Sequence, residues 1–198
     1  EDRQKQCQSL KQVFMSGEAL THSLTRRATK DYDIKFHNLY GPTEAAIDVS
    51  YWDCDNFSED NTIIPIGRPI ANIRTYILDK AMCPVPPFVP GDIYVGGIGV
   101  GRGYLGQKEI TDKAFIQKDL SLYGIDDTTI FKTGDRGVFL DDGNIQFLGR
   151  QDDQIKIRGL RIEIGEIESK ILHIESIGQC AVVVQNKDVS PRLVAFIV

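Results

Sequence analysis

Cysteine is scarce in this chain and never clustered: Cys7, Cys54, Cys83 and Cys180 show no C-x-x-C spacing, and the three histidines are as dispersed. That scatter argues against a structural zinc site, and isolated thiols suit a reducing, cytoplasmic setting better than a disulfide scaffold. Basic residues are outnumbered, with 23 lysines and arginines against 28 aspartates and glutamates and a net charge of −5. Without a basic stripe to replace phosphate counterions, no nucleic-acid partner is expected. Long apolar runs are missing too. "CAVVV" and "LVAFIV" fall far short of the roughly 20 residues a helix needs to cross a bilayer, so no membrane partner is expected either. The charged, Gln-rich start "EDRQKQCQ" has no signal-peptide pattern. No initiator methionine, internal repeat or G-x-x-x-x-G-K-[ST] loop occurs, so the usual phosphate cradle is absent.

What is present is an ordinary globular composition, 198 residues that are 41% hydrophobic and 26% charged, enough for one medium domain or one and part of another. "LKQVFMSGEAL" reads as a short buried strand, Val13 to Met15, ending at Ser16-Gly17. "THSLTRRATK" reads as a helix, and "IKFHNLY" as a strand running into a Gly41-Pro42 corner. From about Asn61 the chain becomes a series of short β-like runs punctuated by Gly, Pro and Asp, which predicts a compact antiparallel sheet or barrel. Asp142-Gly143 inside "VFLDDGNIQFL" is the sharpest hairpin signal. A polar stretch around Asp152 suggests a boundary, giving units 1–151 and 152–198. Beyond it, Ile164, Ile167, Ile171 and Ile174 recur at helical spacing, followed by two strands, "CAVVVQ" and "RLVAFIV". The fold class expected is therefore α+β: a β-rich, barrel-like unit followed by the start of a small α+β one.

Three stretches carry polar groups in suggestive order. "NLYGPTEAAIDVSYW" sets Tyr40, Thr43 and Glu44 around a rigid corner and leaves one acid, Asp48, in an otherwise apolar run. "KTGD" (132–135) and "GRQDDQIKIRGLRIE" (149–163) follow much later. Each has an ordinary reading taken alone: a capped turn, a β-turn and a charged connector. Together they supply an aromatic face for a base, a hydroxyl and carboxylate for phosphate and Mg²⁺, an acid suited to ribose hydroxyls, and an arginine. "GRGYLG" (101–106) satisfies G-x-G-x-x-G literally. No long helix follows it, so the dinucleotide reading fails and the glycines read as tight turns beside a sheet.

The order "SGEAL", "NLYGPTE", "GDIYVGGIGVGRGYLG" and "FKTGDRGVFLDDGNIQFLGRQDDQIKIRGLRIEIGEIE" resembles the adenylate-forming superfamily, specifically the adenylation domains of nonribosomal peptide synthetases, from about Leu10 to Val198. The resemblance implies the C-terminal part of the large adenylation subdomain and a truncated small one. It also implies ATP and Mg²⁺ as cofactors and, as partners, an amino acid, neighbouring synthetase domains and a peptidyl carrier protein bearing phosphopantetheine. Asn38 would hydrogen-bond adenine, Tyr40 would stack on it, and Gly17 would let the backbone approach its other face. Thr43 would contact the α-phosphate, Glu44 would ligate Mg²⁺, Asp135 would bind the ribose hydroxyls, and Arg150 would reach the ribose and phosphate. Phe147 stands where the family often has Tyr, so a ring remains but a hydroxyl contact is lost. Asp152 matches the hinge of the small subdomain, and Gly159 lies in the loop lining the carrier arm's tunnel. The pyrophosphate-gripping loop and the acid for the substrate amine would lie before Glu1, and the adenylation lysine after Val198. These 198 residues alone are therefore expected to be inactive.

By motif position, Phe14, Ser16, Leu39, Ile47 and Asp48 would line the amino-acid pocket, and the set resembles serine-activating domains. A buried acid needs a hydrogen-bonding partner, and a ligand hydroxyl would provide it. Threonine is the closest competitor, differing by one methyl group, and a solvent-facing Asp48 on an edge strand is the ordinary alternative. Two other readings stay open: an acyl- or aryl-CoA ligase sharing the nucleotide motifs, and a non-catalytic docking fragment.

Overall fold

The computed structural model describes residues 9–31, 34–56, 64–152, 154–157, 159–185 and 191–198. The chain divides into two compact units, Glu1–Gly149 and Arg150–Val198.

The first unit is built on two sheets. One has four strands, β1 (Gln12–Met15), β2 (Lys35–Tyr40), β3 (Ser50–Asp53) and β4 (Arg68–Pro69), in that order. β1 and β2 run parallel and the later pairs antiparallel. A parallel pair needs a crossover, and helix α1 (His22–Asp31) supplies it. Thr21 starts that helix, its hydroxyl accepting the Leu24 N–H at 3.3 Å, the bond expected of an N-cap. Ala28 of α1 packs with Phe36, Trp52, Cys54 and Ile64 under the sheet. Burial drives the Cys54 thiol up to about 12, with the charge of Asp53 adding to it, so it stays protonated and unreactive.

The expected buried strand at Val13–Met15 forms, but it is not buried: Phe14 is 60% exposed. β1 has only β2 beside it among the described residues, so just one of its edges and one of its faces is covered.

The second sheet contains β5 (Ile73–Leu78), β6 (Gly91–Gly97), β7 (Phe115–Ile116), β8 (Ile130–Phe139) and β9 (Ile145–Arg150), ordered β5-β6-β8-β7 with β9 also on β8. The central β6 is buried along nearly its whole length. Its Ile93 packs with Ile66, Ile77 and Ile145 as one apolar cluster, and Ile93 and Ile145 have no exposed surface. The Asp142-Gly143 turn joins β8 to β9, as expected: Leu140 and Asn144 pair across it at 2.8 Å, and Asp142 Oδ1 accepts the Asn144 N–H at 2.9 Å. The segment before β4 is stitched to the second sheet where Ile145 donates to the Gly67 carbonyl at 2.9 Å and accepts from Ile66 at 2.8 Å. After "GRGYLG" comes only helix α2 (Lys108–Ala114), too short for a dinucleotide-binding crossover.

The second unit comprises the hairpin β10 (Gln154–Ile157)–β11 (Leu160–Glu163), helix α3 (Ile164–Leu172), and the antiparallel pair β12 (Cys180–Gln185) and β13 (Arg192–Ile197). Ile164, Ile167 and Ile171 lie half-buried on α3. Ile174 falls in the turn beyond the helix and is 52% exposed. Glu168 reaches β12, accepting the Val182 N–H at 2.7 Å. No helix among the described residues is long and apolar enough to cross a membrane.

Candidate functional site

Strand alternation sorts the residues of β2 into two groups. Asn38 and Tyr40 point one way, His37 and Leu39 the other. On the first face, Tyr40 donates its hydroxyl proton to Asp135 Oδ2 at 2.5 Å, linking residues 95 positions apart. Asp135 is 7% exposed. Its own N–H donates to the Thr133 hydroxyl at 3.0 Å, and that hydroxyl donates to the Ile93 carbonyl at 2.8 Å. "KTGD" is thus not a β-turn. It lies inside β8, opposite a register shift in β6 between Asp92 and Tyr94, and such an irregularity re-aims side chains next to it. Phe147 completes the group, its ring 6.3 Å from that of Tyr40 and tilted by 41°.

Asn38 sits differently from Tyr40 on the same face. It is 3% exposed, and its side-chain amide donates to the Pro65 carbonyl at 2.7 Å. Its amide nitrogen therefore ties β2 to the neighbouring segment.

The loop after β2 is wound tightly. Thr43–Ala45 form one 3₁₀ turn, and Ala46 and Ile47 follow with φ of 63° and 75°. Val49 closes it by donating to the Tyr40 carbonyl at 2.7 Å. Gly41 is required here, because a Cβ at that position would lie 2.1 Å from the Ile47 carbonyl oxygen. A β-branched residue at positive φ is strained, and such strain collects at functional sites. The loop leaves Thr43 exposed and turns Ile47 outward, 66% exposed. Glu44 is held from both ends: Oε1 accepts the Tyr104 hydroxyl at 2.6 Å, and its backbone carbonyl accepts the Gly101 N–H at 2.8 Å.

On the opposite face, two of the five residues expected to line a pocket, Ser16 and Asp48, meet. Ser16 donates to Asp48 Oδ1 at 2.8 Å, and Phe14 stacks on His37 with ring centroids 4.9 Å apart and an angle of 22°. Asp48 is half-buried in a loop, not on an edge strand. Gly17, with φ of 94°, turns the chain away just after Ser16. His37 was missed by the sequence reading. The signal was available, because a residue two before Leu39 on one strand shares its face.

Arg150 and Asp152 belong to the second unit. Arg150 grips Asp152 with two nitrogens, at 2.6 and 2.7 Å. Burial works against the Asp152 carboxylate, but the Arg150 hydrogen bonds and charge outweigh it and hold the group below its usual range.

Among the described residues, no three His, Cys, Asp or Glu side chains come together as a metal cage. An ion such as Mg²⁺ does not need such a cage, since it is commonly held by one or two carboxylates with substrate phosphates and water completing its shell. Glu44 is the carboxylate on this loop that could serve.

The AMP-binding enzyme family model matches residues 1–105. Zwittermicin A synthase ZmaJ from Bacillus cereus is 44% identical over 193 residues, covering 95% of this chain and 36% of that protein. Among solved structures, an artificially fused adenylation–PCP di-domain NRPS from Klebsiella oxytoca superposes with a TM-score of 0.83 at 25% identity, covering 100% of this chain and 36% of that one. The Vibrio cholerae adenylation domain AlmE, solved with glycyl-adenosine-5'-phosphate, gives 0.81 at 28% identity, covering 96% and 36%. The chain thus spans about a third of the length of these proteins. With its sheet-rich α+β fold, this chain belongs to the AMP-binding enzyme family, as an adenylation domain of the nonribosomal peptide synthetase type.

Proposed function

We propose that the chain is the C-terminal part of the large subdomain of an amino-acid-activating ligase (1–151), followed by the hinge and start of the small subdomain (152–198). The activity is formation of an aminoacyl adenylate from an amino acid and ATP, then transfer to the phosphopantetheine thiol of a carrier domain. What carries this reading is the 2.5 Å bond from Tyr40 to Asp135, which joins the "YGPTE" and "KTGD" segments at one spot with Phe147 beside it. AlmE, similar over almost this whole chain, was solved with an aminoacyl adenylate. The Klebsiella protein carries a PCP next to its adenylation domain.

In the first half-reaction a substrate carboxylate oxygen bonds to the α-phosphorus while the bond to the bridging oxygen breaks, and pyrophosphate leaves. In the second, the thiol sulfur bonds to the acyl carbon, AMP leaves, and the thiol proton is lost. Catalysis of this kind is mostly orientation and charge neutralisation. Tyr40 and Phe147 offer ring surface for adenine. Gly17 keeps the backbone open on the other side of the base, and Asn38 contributes through its carbonyl oxygen, its amide nitrogen being engaged with Pro65. Asp135, fixed by Tyr40, accepts from the ribose hydroxyls. Thr43 donates to the α-phosphate, and Glu44 offers an oxygen to Mg²⁺, which when bound neutralises phosphate charge. Arg150 is assigned to the ribose and phosphate, and Asp152 to the hinge. A cytoplasmic setting suits Cys54, Cys83 and Cys180, all free thiols.

Serine is the proposed substrate, with Phe14, Ser16, Leu39, Ile47 and Asp48 lining its pocket. The 2.8 Å Ser16–Asp48 bond supports it, because it keeps the Asp48 carboxylate oriented and leaves acceptor capacity for a ligand hydroxyl. ATP–pyrophosphate exchange by a full-length adenylation domain carrying these residues should favour serine over threonine and alanine. Asp48→Ala should lower serine-dependent exchange by about 10–100-fold, the worth of a hydrogen bond to a charged group, with KM for ATP unchanged. Equal turnover by the variant would reject serine.

A further inference from the structure

The "GRGYLG" segment has no role in the scheme above, yet it touches the one carboxylate assigned to the cation. The geometry points to Tyr104 as a positioning residue that sets the Glu44 carboxylate for Mg²⁺, which rests on the reading of Glu44 just proposed.

Three observations support it. The Tyr104 hydroxyl donates to Glu44 Oε1 at 2.6 Å, a span of 60 residues. A hydroxyl-to-carboxylate bond of that length is of the strong, charge-assisted kind. Second, Tyr104 is itself held. Its N–H donates to the Thr111 hydroxyl at 2.9 Å, and its ring meets Phe115 edge-on with centroids 5.6 Å apart. Third, the same segment grips the Glu44 backbone, since Gly101 donates to the Glu44 carbonyl at 2.8 Å. The carboxylate is thus clamped at its oxygen and at its main chain by one loop.

The physical consequence concerns the metal more than the fold. A carboxylate on a one-turn 3₁₀ segment has several rotamers, and an ion that dehydrates reluctantly and demands near-octahedral geometry gains from finding one already selected. Partners that orient a metal ligand typically change metal affinity or activity by 10–100-fold when removed. Tyr104→Phe keeps the ring on Phe115 and deletes only the donor.

The test uses a full-length adenylation domain carrying these residues, as wild type, Tyr104→Phe and Glu44→Gln. The readouts are Mn²⁺ binding with ATP present, followed by electron paramagnetic resonance, the Mg²⁺ concentration at half-maximal exchange, and the thermal midpoint. Tyr104→Phe is expected to weaken Mn²⁺ binding and raise the half-saturating Mg²⁺ by about tenfold, with the thermal midpoint within a degree or so of wild type. Wild-type Mn²⁺ binding by Tyr104→Phe, alongside its loss in Glu44→Gln, would overturn the positioning role and leave the function standing. Wild-type binding by both variants would remove Glu44 as a ligand, and the inference with it. A fall in thermal midpoint with unchanged metal dependence would make Tyr104 a structural residue only.

Discussion

Replacing Asp135 with alanine is expected to lower kcat/KM for ATP by about 10²–10⁴-fold in a full-length adenylation domain, because two hydrogen bonds to a charged acceptor, each worth roughly 1.5–3 kcal/mol, are lost together. Asp135 is 7% exposed and already oriented by Tyr40 at 2.5 Å, so little of that binding energy is spent on ordering the side chain. The loss should fall on nucleotide recognition, with the ratio of serine to threonine activation unchanged. Asp135→Asn is the control for folding. It keeps the volume and can still accept from Tyr40, but it cannot take two ribose protons as a carboxylate does. Tyr40→Phe should cost less, about tenfold at most, since the ring facing Phe147 remains and only the Asp135 contact goes. The measurement is exchange kinetics at varied ATP. An Asp135→Ala domain with wild-type KM and kcat would remove Asp135 from the nucleotide site.

Gly67→Ala is expected to destabilise this chain on the order of 3–5 kcal/mol, among the largest effects of any single methyl group. A Cβ there would lie 1.8 Å from the Tyr51 carbonyl oxygen and 2.6 Å from the Trp52 nitrogen. Neither is the end of a flexible side chain; both are the backbone of β3, and the glycine also holds a φ of 83°. Relief would require β3 to move away, yet Gly67 is also where Ile145 joins this segment to the second sheet, at 2.9 Å. One movement therefore disturbs the strand that follows the Thr43–Ala45 turn and the apolar cluster of Ile66, Ile77, Ile93 and Ile145. Thermal or urea unfolding of the chain is the direct measurement. A midpoint within error of wild type would mean that β3 yields at no cost and that the close approach is unimportant.

The features legible in the sequence were those whose cause is local. The Asp142-Gly143 hairpin follows from turn chemistry, and its Asn144 N–H meets Asp142 at 2.9 Å as that chemistry requires. The α1 start at Thr21 and the isoleucine stripe of α3 follow from capping and a 3.6-residue period. "KTGD" could not be read correctly because its glycine and acid look like a turn, while the pairing that makes it part of a strand comes from β6, some 40 residues earlier. The Asn38 contact is hidden for a similar reason: its side-chain nitrogen meets the Pro65 carbonyl, 27 residues on, and nothing near Asn38 announces it. Phe14 reads as core by hydrophobicity, but only strand order reveals that β1 has a single neighbour.

Family, α+β class and the inventory of polar groups are written in the chain itself, because motif order, turn residues and hydrophobic periods are properties of short stretches of chain. Tertiary structure alone decided that Tyr40 meets Asp135, that Ser16 meets Asp48, and that Tyr104 clamps Glu44, at separations of 95, 32 and 60 residues. Such pairings arise from sheet order and register, which collective burial of the apolar core selects and which no local propensity encodes.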